Sequence, residues 1–348
     1  MSPLLKERKM KKHINIPVFV PHLGCPHDCV FCNQRSITGR MSFDARQVKT
    51  EIDTALSTIA PGDPLPEIAY FGGSFTGIDR NLMIYLLELA AEYVKRGKAR
   101  SIRLSTRPDM IDEEVLDILS RYPVRTVELG IQSMDDGVLF ASRRGHTAED
   151  SRRATRLLAE SGFDFIGQMM IGLPLSDGEK EVATAREICD MGAAGSRIYP
   201  AVVFRGTRLC DMALSGGYRP LELCDAVERT KNALRVFAER GVPCIRIGLQ
   251  SGENLTGTDS VFAGDYHSAV GELAAGELYF EKICGLIGKR ESTEGGNLVI
   301  YVAPGEVSKA VGQKRKNKIR LAEKYGFRTI KVLEKKEILR YNVSIDII

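Results

Sequence analysis

The sequence predicts an α/β protein in which a barrel of parallel strands, complete or open, is followed by a small basic α/β module. Strand-like and helix-like runs alternate through the first part of the chain with a period of about 30 residues, which is typical of βα units. Positive charge is concentrated late in the chain. Residues 309–336 hold eleven Lys or Arg and two Glu, a local formal charge of +9 in a chain whose total is +4. These two observations favour a barrel with a separate module over an all-β or all-helical protein.

Seven apolar runs are predicted as strands, each apolar on both faces as expected of parallel strands that helices cover. They span residues 13–20, 67–71, 100–105, 126–131, 165–171, 197–203 and 242–248. Amphipathic runs between them are predicted as helices, several of which begin at an Asp or Ser suited to capping. They span residues 44–59, 79–95, 112–120, 148–161, 177–191 and 220–239. The succession of six or seven βα units predicts an α/β barrel, complete or open.

The predicted elements divide the chain into three parts. Residues 1–250 are assigned to the barrel, residues 251–290 to an irregular glycine-rich connecting segment, and residues 291–348 to the basic module. Chemistry in such barrels lies at the carboxyl ends of the strands. We therefore expect functional side chains directly after the strands.

Composition excludes several classes of protein. The 348 residues are 43% hydrophobic and 27% charged, which is ordinary for a globular protein. No run approaches the roughly 18–20 apolar residues of a membrane span, and the first residues lack the apolar core of a signal peptide. We therefore expect a cytoplasmic protein with no membrane partner. Three of the eight cysteines fall within eight residues, which predicts a metal site together with ordinary buried thiols.

The clustered cysteines are Cys25, Cys29 and Cys32, in the loop after the first predicted strand. A structural zinc ion takes four ligands, whereas three thiolates on a [4Fe–4S] cluster leave one iron open to another ligand. Phe31 is positioned to shield such a cluster from water. The alternatives are zinc with His22 or His27 as fourth ligand, or thiols that bind nothing.

Polar residues follow the later strands, as a barrel active site requires. The candidates for cofactor binding are Gly72, Gly73, Ser74, Ser105, Gln132 and Arg144. The two glycines permit a close approach of backbone to a ligand, although a tight turn has the same sequence. Gln132 and Arg144 are equally compatible with capping a helix or facing solvent.

The cysteine loop and its place after the first strand resemble the radical SAM enzymes, whose fold implies a partial (β/α)6-type barrel. The resemblance implies a [4Fe–4S] cluster whose open iron binds S-adenosylmethionine (SAM), and whose electron yields a 5′-deoxyadenosyl radical. It further implies that Gly72, Gly73 and Ser74 receive the methionine amino group, that Arg144 pairs with the carboxylate, and that Gln132 bonds the ribose. A reducing electron donor such as ferredoxin or flavodoxin is then a partner.

Four segments look similar to the radical SAM half of the Elongator catalytic subunit family. They are residues 128–134, 144–147, 170–174 and 198–207, and the similarity extends over residues 13–248. That family acts on the wobble uridine of tRNA with an acetyl donor. We expect no acetyltransferase domain, because the chain ends about 100 residues after the barrel. The candidate catalytic residues are Tyr199 and His267, and a structural turn explains His267 equally well.

The basic module resembles a KH domain. A strand at 297–302, two helices around a basic loop within 305–325 and a strand at 329–333 follow the KH order. Gly312 begins the loop, but Arg315 stands where KH domains have a second glycine. The candidate phosphate contacts are Lys314, Arg315, Lys316 and Lys318. The alternative is a solvated basic helix on a small α/β cap.

Together these features predict a radical SAM enzyme that modifies an RNA, either tRNA or rRNA. A second hypothesis keeps the radical chemistry but directs it at a protein side chain or a small metabolite. A third is a non-catalytic haem chaperone, because barrels resembling coproporphyrinogen oxidase include such proteins. Haem-binding spectra would distinguish the third hypothesis from the first two.

Overall fold

The computed structural model describes residues 13–20, 25, 27–32, 43–249, 261–264, 267–289 and 296–348. Twelve strands lie in this part of the chain: β1 (Asn15–Phe19), β2 (Glu67–Phe71), β3 (Ser101–Thr106), β4 (Val124–Gln132), β5 (Asp164–Ile171), β6 (Gly195–Pro200), β7 (Val203–Phe204), β8 (Cys244–Ile247), β9 (Val261–Ala263), β10 (Asn297–Val302), β11 (Thr329–Glu334) and β12 (Val343–Ile347). The α-helices of the same part are α1 (Val48–Ser57), α2 (Arg80–Lys95), α3 (Glu113–Ser120), α4 (Asp136–Ala141), α5 (Ala148–Glu160), α6 (Gly178–Asp190), α7 (Arg208–Leu214), α8 (Leu223–Glu239), α9 (Val270–Ile287), α10 (Val307–Val311) and α11 (Lys316–Tyr325).

Seven strands form one parallel sheet in the order β1-β2-β3-β4-β5-β6-β8, which curls into a half-barrel. Each contains or overlaps one of the seven predicted strands, so the predicted α/β barrel is confirmed. The sixth strand is shorter than predicted. It ends at Pro200, which has no amide hydrogen to continue the ladder, and β7 pairs with β9 in a separate two-stranded ribbon.

Helices pack against one face of the sheet through its apolar side chains. Tyr70 in β2 is fully buried on this face and donates a hydrogen bond to the carbonyl of Leu86 in α2 at 2.5 Å. Asp79 and Asp112 begin α2 and α3 by accepting hydrogen bonds from the amides of Leu82 and Val115. The predicted capping by aspartate is therefore confirmed.

The other face of the sheet corrects the prediction that the strands are apolar on both faces. Glu67, Arg103, Glu128 and Arg197 alternate with the apolar residues of β2, β3, β4 and β6. Arg103 bonds Glu67 at 2.9 Å and Glu128 at 3.0 Å, and Arg197 also bonds Glu128 at 2.8 Å. These charges are buried because each is paired, so the half-barrel has an ionic interior.

The predicted irregular segment at 251–290 is wrong for residues 270–287, which form the 18-residue helix α9. Its glycines suggested irregular chain, but they mark close packing instead. A Cβ at Gly271 would lie 2.9 Å from Cβ of Ile247, and one at Gly276 would lie 3.3 Å from the carbonyl oxygen of Lys309. The helix therefore touches the barrel at one point and the C-terminal module at another.

The C-terminal module is a three-stranded sheet in the order β11-β10-β12, with α10 and α11 following β10. β10 pairs with β11 in parallel and with β12 antiparallel. Leu298, Ile300 and Leu321 belong to the same buried core as the barrel residues. Barrel and module thus share one core, with α9 between them.

Among the described residues, no helix has both the length and the apolar character that crossing a membrane requires.

Candidate active site

The cysteine loop follows β1 at the carboxyl edge of the sheet. Its residues are held by backbone hydrogen bonds to two distant parts of the chain. The amide of Val30 donates to Ser142 at 3.2 Å, just after α4, and the amide of Leu209 in α7 donates to the Val30 carbonyl at 2.8 Å. Arg208 also bonds the exposed Asp28 carboxylate at 3.1 Å. The loop is therefore fixed by α4 and α7, two short helices outside the predicted set.

Apolar side chains of the same loop strengthen this anchor. Val30 is buried in a small cluster with Val203, Leu209 and other residues around α7. Phe31 is half-buried against that cluster, which leaves its predicted role as a shield for a metal cluster a prediction. Burial of these side chains stabilises the described residues 27–32 of the loop.

Cys29 lies next to two buried arginines. Nη1 of Arg144 is 3.3 Å from Cys29 Sγ, and Nη1 of Arg107 is 3.8 Å from the same sulfur. Arg144 is fixed by a 2.6 Å hydrogen bond to the carbonyl of Gly130, and Arg107 by two bonds to Asp109 at 2.9 and 3.1 Å. The Cys29 sulfur therefore lies within reach of two fixed guanidinium donors.

His146 completes the surroundings of this pair. Burial, followed by the charges of Arg144 and Arg107, lowers the pKa of His146 to about 3, so its ring is neutral at pH 7. A neutral ring donates through Nε2 to the Ile131 carbonyl at 3.3 Å, which leaves Nδ1 unprotonated, 4.0 Å from Asp109 and without a hydrogen-bond donor among the described residues. The site therefore avoids a third buried cation beside Cys29.

The glycine pair after β2 lies against the cysteine loop. Gly72 has a φ of +111°, and a Cβ there would lie 3.2 Å from the carbonyl oxygen of Val20. Ser74 is buried, and its Oγ is 3.6 Å from Cys25 Sγ. Gly73 is half-buried between them. The predicted glycine motif and the predicted cysteine motif are therefore in contact.

Two further candidates have buried polar atoms that lack a partner within the described part of the chain. These are Oε1 of Gln132 and Nε of Arg144. Gln132 ends β4 with a φ of +66°, a conformation that non-glycine residues rarely adopt. Ser105 is half-buried beside Glu128 in the strand register. Unpartnered buried polar atoms are costly unless something fills them, so Gln132 and Arg144 are suited to hold a polar ligand.

Tyr199 lies on the ionic face of the sheet, two residues after Arg197. Nη1 of Arg197 is 3.4 Å from the Tyr199 hydroxyl, and burial raises the pKa of that hydroxyl. Arg197 also lies over the ring of Phe71, 5.7 Å from its centroid. Tyr199 is thus a neutral phenol at the carboxyl end of β6, facing the interior of the half-barrel.

His267 stands apart from the cysteine loop. Its Nδ1 accepts a 3.1 Å hydrogen bond from the amide of Ala269, just before α9 begins. The ring also lines a hollow with Pro200 and Gly248, at the ends of β6 and β8. His267 therefore fixes the chain just before α9, and its contact with a substrate in the hollow stays a prediction.

The basic loop between α10 and α11 has an unusual backbone. Gly312, Lys314 and Arg315 have φ values of +75°, +50° and +63°, although only the first is glycine. Lys316 bonds Glu277 of α9 at 3.0 Å, whereas Lys314, Arg315 and Lys318 have no ion pair with any described residue. Three of the four predicted cations are therefore available to an anionic partner.

Whether the cysteines fit a [4Fe–4S] cluster follows from the chemistry of the site. No disulfide joins any cysteine, and no three His, Cys, Asp or Glu side chains of the described residues converge on a single metal-ion position. Cubane ligands bind different irons, so their sulfurs need not converge. Three thiols on one loop, two adjacent guanidinium groups and the unpartnered atoms of Gln132 and Arg144 fit a cluster with a polar ligand beside it.

The sequence did not single out Arg107, Asp109 or His146. Arg107 and Asp109 lie in the polar run 105–109 after β3, and the place of that run at a strand end was the available signal. Nothing in the sequence pattern shows that Arg107 reaches the cysteine loop, because 78 positions separate it from Cys29. Such contacts depend on the curvature of the sheet.

Comparisons with known proteins agree with this geometry. The profile described as "Radical SAM superfamily" matches residues 19–185, and that described as "Radical_SAM C-terminal domain" matches residues 193–280. The tRNA uridine(34) acetyltransferase of Methanocaldococcus jannaschii is 28% identical over 271 residues, which cover 66% of this chain and 50% of that protein. Elongator complex protein 3 of Homo sapiens is 24% identical over 311 residues, covering 72% and 57%. The chain thus spans about half the length of these two relatives.

Solved structures share the fold. Elp3 from Methanocaldococcus infernus, lacking its N-terminal residues 1–46, superposes with a TM-score of 0.60 at 23% identity, covering 79% of this chain and 64% of that chain. Members of the superfamily bind a [4Fe–4S] cluster and SAM, and its members among the relatives are enzymes. The two profiles together cover most of the chain, and the half-barrel matches their fold. The protein therefore belongs to the radical SAM superfamily and is homologous to the Elongator catalytic subunits.

Proposed function

We propose that this protein is a radical SAM enzyme that modifies an RNA, either tRNA or rRNA. The observation that carries the proposal is the contact between the cysteine loop and the polar rim. Cys25 meets Ser74, and Cys29 meets Arg144 and Arg107, at the carboxyl edge of one parallel sheet. The names of the tRNA-acting relatives and the basic loop support RNA as the substrate class.

Cys25, Cys29 and Cys32 would hold the cluster. When bound and reduced by one electron from a low-potential donor such as ferredoxin or flavodoxin, the cluster would supply the electron for reductive cleavage of SAM and so the radical chemistry that removes a hydrogen atom from a substrate.

The residues of the rim would bind and orient SAM. The backbone of Gly72 and Gly73 allows close approach by the methionine amino group, because neither residue has a Cβ in the way. The unpartnered Nε of Arg144 would pair with the methionine carboxylate, and Oε1 of Gln132 would accept from the ribose. Ser74 and Ser105 would add hydrogen bonds at the ends of β2 and β3.

The substrate would enter on the ionic face of the half-barrel. Tyr199 faces this interior, and its hydroxyl stays protonated because burial raises its pKa. It can therefore donate a hydrogen bond to a substrate group near the radical. His267 would line the outer part of this entrance. Its Nε2 would contact the substrate, because Nδ1 accepts from the amide of Ala269.

RNA would be held by the basic loop between α10 and α11. Lys314, Arg315 and Lys318 offer three cations to phosphate groups, and Lys316 contributes a fourth that is shared with Glu277. Because α9 joins the module to the barrel through one core, a bound RNA would be presented at a fixed position relative to the site.

The proposal is tested on RNA from cells that lack the gene. Purified tRNA and rRNA are incubated separately with the anaerobically reconstituted protein, SAM and a strong reductant, and digested nucleosides are compared by mass. A new nucleoside mass in one fraction, absent with the Cys29→Ala variant, is the expected result. Active SAM cleavage with no mass change in either RNA would contradict the RNA assignment and favour a protein or small-molecule substrate.

A further inference from the structure

Arg107 is a buried arginine to which the proposed SAM site assigns no role. Its side chain is 4% exposed. Nε and Nη2 bond the two oxygens of Asp109, Nη2 also bonds the carbonyl of Arg144, and Nη1 points at Cys29 Sγ at 3.8 Å. The two bonds to Asp109 and the bond to the Arg144 carbonyl fix the guanidinium group. They thereby direct Nη1 at the sulfur of Cys29.

The two arginines beside this sulfur differ in how far a neighbouring carboxylate compensates their charge. Asp109 compensates much of the charge of Arg107, and the ring of His146 is neutral beside them. Arg144 reaches the sulfur from another direction and bonds a backbone carbonyl rather than a carboxylate. The effect of Arg107 on Cys29 therefore rests mainly on its directed hydrogen bond, while Arg144 adds a net charge.

Hydrogen bonds to cysteine sulfurs are a principal control of the reduction potential of an iron–sulfur cluster. Reduction adds one negative charge, so a donor aimed at a ligand sulfur stabilises the reduced form more than the oxidised form. Cys29 and Arg107 are both buried, at 7% and 4% exposure, so water screens this 3.8 Å contact little.

We propose that Arg107 raises the reduction potential of the cluster through its hydrogen bond to Cys29. Arg107 is thus a positioning and tuning residue, and it acts on electron transfer into the site rather than on the substrate. The inference rests on the proposed binding of a [4Fe–4S] cluster by Cys25, Cys29 and Cys32. Arg107 and Asp109 thus form a second group of residues beside the cysteines, and this group sets the reduction potential of the cluster.

The test is a potentiometric titration of the reconstituted protein, followed by the electron paramagnetic resonance of the reduced cluster. Arg107→Gln removes the charge and the directed donor. Arg107→Lys keeps the charge but offers one nitrogen, which Asp109 takes. Arg208→Gln is the matched control, because Arg208 also contacts the cysteine loop, through the exposed Asp28, and touches no sulfur. Iron and sulfide are measured in every sample.

We expect the Arg107→Gln potential to fall by at least the equivalent of a tenfold change in the reduction equilibrium, about 59 mV for one electron. Arg107→Lys falls in the same direction by less, and Arg208→Gln stays near the wild type. A loaded Arg107 variant with an unchanged potential would overturn the inference. So would failure of both Arg107 variants to hold the cluster, because Arg107 would then serve assembly. Wild-type protein without iron and sulfide would instead refute the proposed cluster itself.

Discussion

Glu277 accepts two hydrogen bonds from Arg320, at 2.9 and 2.8 Å, and so ties the second helix of the basic module to the helix α9. Asn317 reinforces the contact by donating to the carbonyl of Gly276 at 2.8 Å. Burial alone would raise the pKa of Glu277, but the cations of Arg320 and Lys316 lower it, and the pKa lies below its ordinary value. The module is therefore held by an ionised carboxylate as well as by the shared core, and the basic loop next to Arg320 has a defined position.

Charge reversal in this loop is expected to separate RNA binding from SAM chemistry. Lys314→Glu with Arg315→Glu replaces two cations that pair with no described carboxylate, so the core contacts of Asn317 and Arg320 remain. RNA affinity should fall, and the slope of its logarithm against log salt should decrease by about one for each phosphate that the variant no longer binds. Filter binding at several salt concentrations measures both quantities.

The control reverses two cations at the end of α2, Lys95→Glu with Arg96→Glu. The RNA affinity of this control should fall only by the amount that the lower net charge of the protein causes. SAM cleavage without RNA should be equal in the wild type and both variants. Loss of that cleavage in the loop variant only would contradict the division of roles between barrel and module.

Cys29→Ala is expected to abolish iron loading and SAM cleavage. Cys29 is buried beside Arg107 and Arg144, whose Nη1 atoms lie 3.8 and 3.3 Å from its sulfur. Cys224→Ala is the matched control, because Cys224 is exposed and lies outside the loop. Iron and sulfide content with the visible absorption spectrum measure the outcome. Full loading of Cys29→Ala would remove Cys29 from the ligand set.

Gly72→Ala is expected to damage the SAM-binding edge through the backbone. Its φ of +111° strains any other residue, and the added Cβ would press on the Val20 backbone. We expect the free energy of unfolding to fall by about 3 kcal/mol. Gly97→Ala, at a φ of +67° with open space around it, should cost only about 1 kcal/mol. Urea unfolding measures both, and equal losses would show that contact with Val20 contributes nothing.

Glu67 is expected to make stability depend on pH below about 4.5. Burial alone raises its pKa, but the hydrogen bond with His13, the charge of Arg103 and the bond from Ser101 bring it well below the ordinary value of 4.5. The unfolded chain therefore takes up the proton first as pH falls, so the stabilisation is complete above that value and declines below it.

Glu67→Gln leaves Arg103 without one of its partners, and we expect it to cost about 3–5 kcal/mol at pH 7. The difference from the wild type should shrink as pH drops below about 4.5. Glu114→Gln, on an exposed carboxylate, should show no such trend. Denaturant unfolding from pH 7 to 3 gives the comparison, and a constant difference would contradict the lowered pKa of Glu67.

The sequence was sufficient to predict the parallel strands and the cysteine loop, because both are set by local pattern. Apolar runs bounded by capped helices located all seven strands of the sheet. The prediction was wrong at α9 because its glycines were taken as a sign of irregular chain. Gly271 and Gly276 instead permit close packing between distant elements. Local composition does not distinguish a glycine that permits a close contact from one that breaks a helix.

The site was predicted in part, because local sequence position identifies some of its residues and not others. Ser74 follows the end of β2, so the barrel rule found it, whereas Arg144 follows α4 and was found through the family resemblance of segment 144–147; the structure brings both to the cysteine loop. The contact of Arg107 with Cys29 depends on the curl of the sheet from β1 to β3, which no local pattern records. The ionic face was missed because no local pattern shows that Arg103 and Glu128 face each other from neighbouring strands.

The most direct test of the central claim is 5′-deoxyadenosine formation by the anaerobically reconstituted protein with SAM and a strong reductant, with and without total cellular RNA. The account predicts cleavage of SAM that increases when RNA is added and disappears in the Cys29→Ala variant. Protein with a verified [4Fe–4S] cluster that forms no 5′-deoxyadenosine under either condition would contradict it.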